Sequence, residues 1–207
     1  QDAIAVATAG ARTCALLASG EAACWGDDDL GTLGIGVPLD RNAPTPVVSL
    51  VDAVQSDAGL YGTCALRANG RLVCWGQNDL LGRGGSNNAL TPFEVFGVDD
   101  AVMVSAGGAE GPPTESHTCV LRRDGGVRCF GSHQKGQLGD GRDYGNNPIP
   151  VDVALDAVDA ISLGARHSCA LRAGRVLCWG DDSKGQIGGG GPRRSPVDVG
   201  ISNVVDV

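Results

Sequence analysis

Short apolar runs alternate with polar and glycine-rich turns along the chain, and no run has the 3.6-residue period of an amphipathic helix. The clearest pattern is CALLASGEAACWG at residues 14–26, in which two alternating runs flank a turn signal. It returns as CALRANGRLVCWG at 64–76, CVLRRDGGVRCFG at 119–131 and CALRAGRVLCWG at 169–180. The pattern predicts an all-β chain, a single domain over residues 1–207, built of four repeats of about 50 residues, each centred on a hairpin.

The length of each turn determines which residues face each other in the hairpin. A three-residue loop that ends in glycine is a common hairpin connection, because its last residue needs a positive φ. With that loop, Leu17 faces Glu21. The fourth copy is one residue shorter, and a two-residue turn at Ala173-Gly174 keeps its cysteines opposite each other. The predicted facing pairs are Cys14–Cys24, Cys64–Cys74, Cys119–Cys129 and Cys169–Cys178.

Facing cysteines in an antiparallel pair are close enough to form a disulfide after a small adjustment, since their Cβ atoms lie about 4.5–5.5 Å apart. Each bridge would close a ring of about ten residues and stabilise the fold by roughly 2–3 kcal/mol. The alternative is that the cysteines are reduced, buried, small apolar residues. A zinc site is disfavoured because no closely spaced Cys pair occurs and only three histidines are present. We favour four disulfides, which implies an oxidising compartment.

Each hairpin is preceded by a small apolar strand and followed by a glycine-rich loop and a proline-bounded strand. Residues 2–10 are mostly alanine, which suits a strand in a crowded position near an axis. The last segment, 197–207, matches the strand that precedes the later hairpins, so the two termini could complete one blade between them if the repeats form a closed ring.

Two acidic stretches, 27–29 and 181–182, lie in the glycine-rich loops and offer oxygen ligands of the kind that calcium prefers. The corresponding stretch of the third copy is Ser132-His133-Gln134, whereas a calcium role common to the repeats would need acids throughout. We therefore favour side chains that accept hydrogen bonds from turn amides. No metal or cofactor is predicted.

His117 and His167 occupy the same position in the repeat, where a histidine could serve as a ligand or as a hydrogen-bonding spacer between strands; we favour the spacer. His133 reads as an ordinary loop residue. The sequence has no Ser-His-Asp ordering, nucleophile elbow or phosphate-binding loop, so no catalytic residue is assigned and the protein is predicted not to be an enzyme.

The formal net charge of −8 argues against a nucleic-acid partner, which requires a basic face, and against adsorption to anionic membranes. No apolar run approaches the length of a membrane-spanning helix, so membrane insertion is not expected. Gln1 reads like the start of a processed chain. These features and the paired cysteines together predict a secreted or cell-surface location.

The composite pattern of the copies resembles the regulator of chromosome condensation (RCC1) repeat. In copies three and four it comprises 117–119, 124–125, 129–131 and 136–141, then 167–171, 178–180 and 185–188. The doubly cysteine-marked version is similar to secreted bacterial members of the family. The resemblance implies a β-propeller with four-stranded blades, of which the family usually has seven.

Several positions depart from the family pattern. Copies one and two have Arg12 and Gly62 in place of the motif histidine, and copy two has Leu80-Leu81 and Arg83 in its loop. Four copies fill only about half of a seven-bladed ring. The chain is therefore a fragment or an open arc, which we favour, or a small closed ring.

Repeat arrays commonly place variable loops on one surface, and this favours a non-enzymatic scaffold that binds a protein partner. The insertion GAEGPPTES in copy three is either an inert surface loop or a recognition loop. Alternatives are a self-assembling or adhesive surface protein, with a homo-oligomer formed through blade edges, an enzyme inhibitor, and, least favoured, a guanine-nucleotide exchange factor. The candidate partner-binding residues are Leu39, Phe93, Glu110, Pro112, Pro113, Glu115, Tyr144, Arg193 and Arg194.

Overall fold

The four hairpins lie at the centres of four four-stranded antiparallel sheets. This architecture comes from a computed structural model, which describes residues 2–77, 81–82, 87–108, 115–142 and 145–207. We number the sheets blade one to blade four in chain order. Each blade has the strand order of the sequence, so within a blade every strand pairs with its immediate neighbours along the chain.

The described residues form sixteen strands of four to seven residues each. Blade one contains β1 (Ala3–Ala9), β2 (Arg12–Leu17), β3 (Ala22–Gly26) and β4 (Arg41–Pro46), and blade two contains β5 (Ala53–Gly59), β6 (Gly62–Arg67), β7 (Leu72–Gly76) and β8 (Ala89–Glu94). Blade three contains β9 (Ala101–Gly107), β10 (His117–Arg122), β11 (Val127–Gly131) and β12 (Asn147–Asp152), and blade four contains β13 (Ala160–Leu163), β14 (His167–Arg172), β15 (Arg175–Gly180) and β16 (Arg193–Asp198).

The predicted hairpin register is confirmed in all four blades, because each cysteine of the second strand faces the cysteine of the third strand. All eight cysteines form disulfides within their own hairpin, with Cα atoms 4.1 Å apart. The alternative of reduced cysteines is therefore wrong for this structure. The shortened fourth hairpin turns through Ala173 and Gly174 at φ values of 49° and 74°, as its two-residue loop requires.

The first strands of the blades form the inner layer of the array. Strand β5 contacts β1 on one side and β9 on the other, and β9 also contacts β13. Strands β1 and β13 are both fully described, and they do not pack against each other as the neighbouring first strands do. The blades therefore form an arc that is open between blades one and four.

Each apolar core is shared by two neighbouring blades. The first core joins Leu33, Val47 and Leu50 of blade one to Val73 and Trp75 of blade two. The third core joins blades three and four in the same way, through the corresponding residues Leu138, Val153, Ala170 and Trp179. The face of one blade is thus completed by the next blade along the arc.

The outer strand of every blade carries proline, which cannot donate a backbone hydrogen bond to a further strand. The residues are Pro44 and Pro46 in β4, Pro92 in β8, Pro148 and Pro150 in β12, and Pro196 in β16. Proline at an exposed edge opposes pairing with a strand of another molecule. The outer edges are therefore protected against the edge-to-edge assembly that an open array could otherwise favour.

Candidate interaction surface

The loops that vary most between copies lie at one end of the blades. Because consecutive strands are antiparallel, the connection from the first to the second strand and the connection from the third to the fourth strand leave the sheet at the same end. We call this the loop end. It includes the described parts of 27–40, 132–146 and 181–192. The opposite end carries the central hairpin turns and the linkers between blades.

Arg12 links blade one to blade two at the loop end through hydrogen bonds. Its side chain is buried, and its guanidinium donates hydrogen bonds to the carbonyl oxygens of Leu60, at 2.8 Å, and Gly62, at 3.0 Å, and also to that of Gly59. Burial lowers the pKa of Arg12 to about 10, although the nearby carboxylates of Asp27 and Asp28 raise it. A guanidinium still holds its charge at that pKa, so the contact to the three carbonyls is charge-assisted at neutral pH.

His117 occupies the corresponding position in blade three and links this blade to blade four through a hydrogen bond. Its Nε2 lies 2.9 Å from Ser168 Oγ, and Ser168 Oγ donates to the carbonyl oxygen of Gln137 at 3.0 Å. Since the hydroxyl donates to Gln137, it accepts from His117, which places the ring proton on Nε2. The predicted role as a hydrogen-bonding spacer holds, with the bond linking neighbouring blades.

The insertion of blade three is anchored at the loop end by its last two residues. The guanidinium of Arg166 in blade four donates to the buried carboxylate of Glu115 from both Nε, at 2.7 Å, and Nη2. Ser116 Oγ accepts a hydrogen bond from the amide of Tyr61 in blade two at 3.3 Å. The stem of the insertion therefore connects the blades on either side of its own.

The glycine-rich loops are organised by side chains that bond to backbone groups. Asp28 Oδ1 accepts from the amide of Leu33 at 2.7 Å. Asp182 accepts from four amides, at residues 187–190, and these bonds lower its pKa. The interpretation of these aspartates as acceptors from turn amides is confirmed.

The reading of His133 as an ordinary loop residue was wrong. His133 is buried, and its Nε2 lies 3.0 Å from Asp140 Oδ1 and 2.9 Å from the carbonyl oxygen of Arg142. Its Nδ1 accepts from the amide of Leu138 at 3.4 Å, as the carboxylate of Asp28 does in blade one. The imidazole replaces the aspartate as the organiser of its loop.

A groove of about 390 Å³ opens at the loop end between blades one and two. Asp27 and Asp29 line it on one side, Leu60 and Tyr61 line it on the other, and the backbone around Arg12 forms part of its wall. The carboxylates of residues 27, 29 and 40 lie within 4.8 Å of one another and are exposed. The groove therefore combines an acidic rim with an apolar and aromatic wall.

The structure places the described candidate residues at different depths. Leu39 is 57% exposed at the loop end, and Arg193 and Arg194 begin β16 at the same end. Glu115 is also at the loop end but is buried against Arg166, so it anchors the insertion instead of projecting from it. Phe93 lies in β8 and packs half-buried against the core of blade two. Of the loop departures in copy two, Leu81 is buried, whereas Leu80 and Arg83 lie outside the described residues. The remaining candidates, Glu110, Pro112, Pro113 and Tyr144, also lie outside them.

The sequence indicated the acidic stretch 27–29, but not that Leu60 and Tyr61 line a groove with it between blades one and two. Both residues follow β5, and neither belongs to a motif of the repeat. Only the packing of one blade against the next brings them together. Among the described residues, no helix has the length and apolar character that a membrane span requires.

Comparison with solved structures identifies relatives of the fold. Prp20 from Saccharomyces cerevisiae, described with its binding to Gsp1p and histones, matches with a TM-score of 0.80 and 19% identity over 96% of this chain and 50% of that chain. Human WBSCR16 matches with a TM-score of 0.78 and 18% identity over 95% of this chain and 51% of that chain. The receptor kinase CR4 ectodomain from Physcomitrella patens matches with a TM-score of 0.52 and 21% identity, over 88% of this chain and 42% of that chain.

The chain thus spans about half the length of these structures or less. Comparison with curated protein sequences gave no match. Two models of the regulator of chromosome condensation (RCC1) repeat do match, one at residues 54–80 and 158–186 and the other at residues 124–171. The chain therefore carries RCC1 repeats in blades two, three and four, and its four four-stranded blades form a β-propeller array similar in fold to Prp20, with a disulfide in every blade.

Proposed function

We propose that the chain is a non-enzymatic, exported scaffold that binds a protein partner through its loop end. The observation that carries this proposal is the convergence of the variable loops on one end of a frame in which every hairpin is closed by a disulfide. A rigid frame lowers the entropy cost of holding loops in a binding-competent arrangement. The binding of Prp20 to other proteins supports the general class of function, while its low identity leaves the partner open.

The loop end has the features of a binding surface. It carries the groove between blades one and two, lined by Leu60 and Tyr61, and the exposed side chain of Leu39. The stem at Glu115 and Ser116 is anchored to the neighbouring blades at the same end. Apolar and aromatic contacts beside a polar rim are typical of protein interfaces.

The same charged substitution, made at an exposed apolar residue of each end, tests the location of the binding surface. Leu39→Asp introduces a charge at the loop end, and Val51→Asp introduces the same charge at the opposite end, where the valine is 61% exposed. With each variant as bait against the extracellular proteins of the native host, we expect a partner retained by wild type and Val51→Asp to be lost with Leu39→Asp. Retention by Leu39→Asp together with loss by Val51→Asp would place binding at the wrong end and refute the proposal.

Export is supported by the four disulfides, which persist in oxidising compartments and are rare where glutathione keeps thiols reduced. The similar fold of a receptor-kinase ectodomain supports an extracellular setting. The test is alkylation of the protein in intact native cells, before any reduction, followed by mass measurement. We expect no alkylated cysteine, and eight alkylated cysteines would contradict export.

A further inference from the structure

The first and third junctions between neighbouring blades of the arc share one arrangement. At the first junction, Thr63 Oγ1 and Trp75 Nε1 of blade two both donate to the carbonyl oxygen of Thr32 in the preceding blade, at 3.0 and 2.8 Å. At the third junction, Ser168 Oγ and Trp179 Nε1 of blade four both donate to the Gln137 carbonyl oxygen, at 3.0 and 2.7 Å. The hydroxyl residue and the tryptophan are cross-strand partners in both cases.

Each junction also has an apolar part. Ala65, Val73 and Trp75 of blade two pack against Leu33 and Val47 of blade one. The tryptophans at positions 75 and 179 are completely buried in this way. Each of these two junctions therefore combines two complementary halves. One blade presents a tryptophan face, and a loop of the blade before it offers a backbone carbonyl beside apolar side chains.

Blade one presents the tryptophan face, and no loop among the described residues covers it. Thr13 and Trp25 are cross-strand partners like those of the other junctions, but both are only partly buried. Trp25, Ala15 and Ala23 line a groove of about 530 Å³. By register, these three residues correspond to Trp75, Ala65 and Val73 of blade two, which are buried under blade one.

Blade four presents the other half without a tryptophan. Gln186 corresponds to Gln137, and it is exposed whereas Gln137 is completely buried. A Cβ atom added to Gly139 would lie 2.7 Å from Trp179 Nε1, whereas one added to Gly188 would have no atom within 4 Å. A groove of about 230 Å³ occupies the space beside Gly188 and is floored by Ile187 and Val199.

We propose that a second copy of this chain supplies the missing half at each end, so that the chains associate head to tail. Trp25 of one copy enters the groove on blade four of the other, and Trp25 Nε1 and Thr13 Oγ1 donate to the carbonyl oxygen of Gln186. The contact uses blade faces, since the prolines of the outer strands oppose pairing through the edges.

The surfaces that meet are different, so the association is heterologous. Such a contact closes into a ring when two copies satisfy both junctions and otherwise continues as a chain of copies. Either assembly has a mass above the 21.0 kDa of one chain, and this excess depends on concentration. This proposal is independent of partner binding at the loop end.

Two single variants and their mixture test this association. Trp25→Ala removes the inserted side chain, and Val199→Asp places a charge on the floor of the groove that would receive it. Sedimentation equilibrium over about a hundredfold range of concentration should show self-association of wild type, weakened at least about tenfold in each variant, the scale expected for a buried tryptophan at an interface.

The mixture distinguishes head-to-tail contact from a contact in which both copies use the same face, tryptophan to tryptophan or groove to groove. Trp25→Ala retains an intact groove and Val199→Asp retains an intact tryptophan, so an equimolar mixture should form a complex of one copy of each. This complementation also shows that both variants are folded. Gln186→Ala is the control, because it removes the side chain but keeps the backbone carbonyl, and it should associate like wild type.

The concentration dependence of tryptophan exposure gives a second measurement. Acrylamide quenching should decrease as wild type associates, because Trp25 becomes covered while Trp75 and Trp179 are already buried. A mass that stays at 21.0 kDa throughout would overturn the proposal and leave the two faces to further blades of a longer polypeptide. Association that survives in both single variants, or a mixture that fails to complement, would overturn it as well.

Discussion

Acidification should destabilise this fold mainly through His117. The imidazole is completely buried between blades three and four, and burial, with a smaller contribution from neighbouring His167, lowers its pKa from 6.5 to about 3. Its Nε2 hydrogen is directed to Ser168 Oγ, and Nδ1 has no partner among the described residues. Protonation would place a charge in a completely buried site, and the cost of that burial exceeds the contribution of the His167 backbone, which favours the charged form.

The sign and size follow from the two pKa values. Between pH 6.5 and 3 the unfolded chain binds a proton at this histidine and the folded chain does not, so stability falls as the pH falls. Each pH unit in that window is worth about 1.4 kcal/mol, which gives a loss of about 3 kcal/mol between pH 7 and pH 4. Burial also lowers the pKa of half-exposed His167, which adds a loss in the same direction.

The assay is urea unfolding of wild type and of His117→Gln in the same buffers from pH 7 to pH 4. The raised pKa values of Asp28 and Asp57, caused mainly by burial, act in the opposite direction, since folded protein then takes up these protons more readily. They cancel in the difference between the two proteins. His117→Gln should lose about 3 kcal/mol less than wild type over this range. Parallel pH profiles for the two proteins would refute the argument.

Three further changes have expected outcomes, each measured as the free energy of unfolding in urea. Replacing Cys169 and Cys178 together by alanine opens a ring with a sequence separation of 9 and should lower stability by about 2–3 kcal/mol, while an unchanged value would contradict the entropic argument. Trp179→Phe removes one buried hydrogen bond to a loop carbonyl and should cost about 1 kcal/mol; a cost as large as that of Trp179→Ala would show that packing changed too. Gly139→Ala and Gly188→Ala share a positive φ, but only the former collides with the tryptophan, so it should be the more destabilising by about 1–3 kcal/mol, and equal costs would argue against the junction.

Local counting along the sequence was sufficient for the hairpins. The disulfide between Cys14 and Cys24 follows from the number of residues in one turn, and no distant part of the chain enters that argument. The shortened turn at Ala173-Gly174 was predictable for the same reason. Register in a hairpin is a property of the two strands and the loop between them.

Roles that depend on contacts outside the hairpin were not predictable in this way. Glu115 reads as part of a polar insertion, yet its carboxylate is held by Arg166, which lies 51 residues away in the next copy. His133 reads as a loop residue, although the positions of Asp140 and Arg142 give it two partners. In both cases the contact depends on the path of the backbone, and the sequence around either residue does not determine that path.

The departures from the family motif also have a physical explanation in the contacts between elements. The motif position is Arg12, Gly62 and His117 in the first three copies, and the arginine and the histidine each reach into the following blade. Glycine cannot, and a Cβ atom at position 62 would lie 2.4 Å from Leu81 Cδ2. The leucine therefore occupies the space that a side chain at position 62 would need. Two changes that read as separate irregularities in copy two form one compensating pair, in which apolar packing replaces the polar contact of its neighbours.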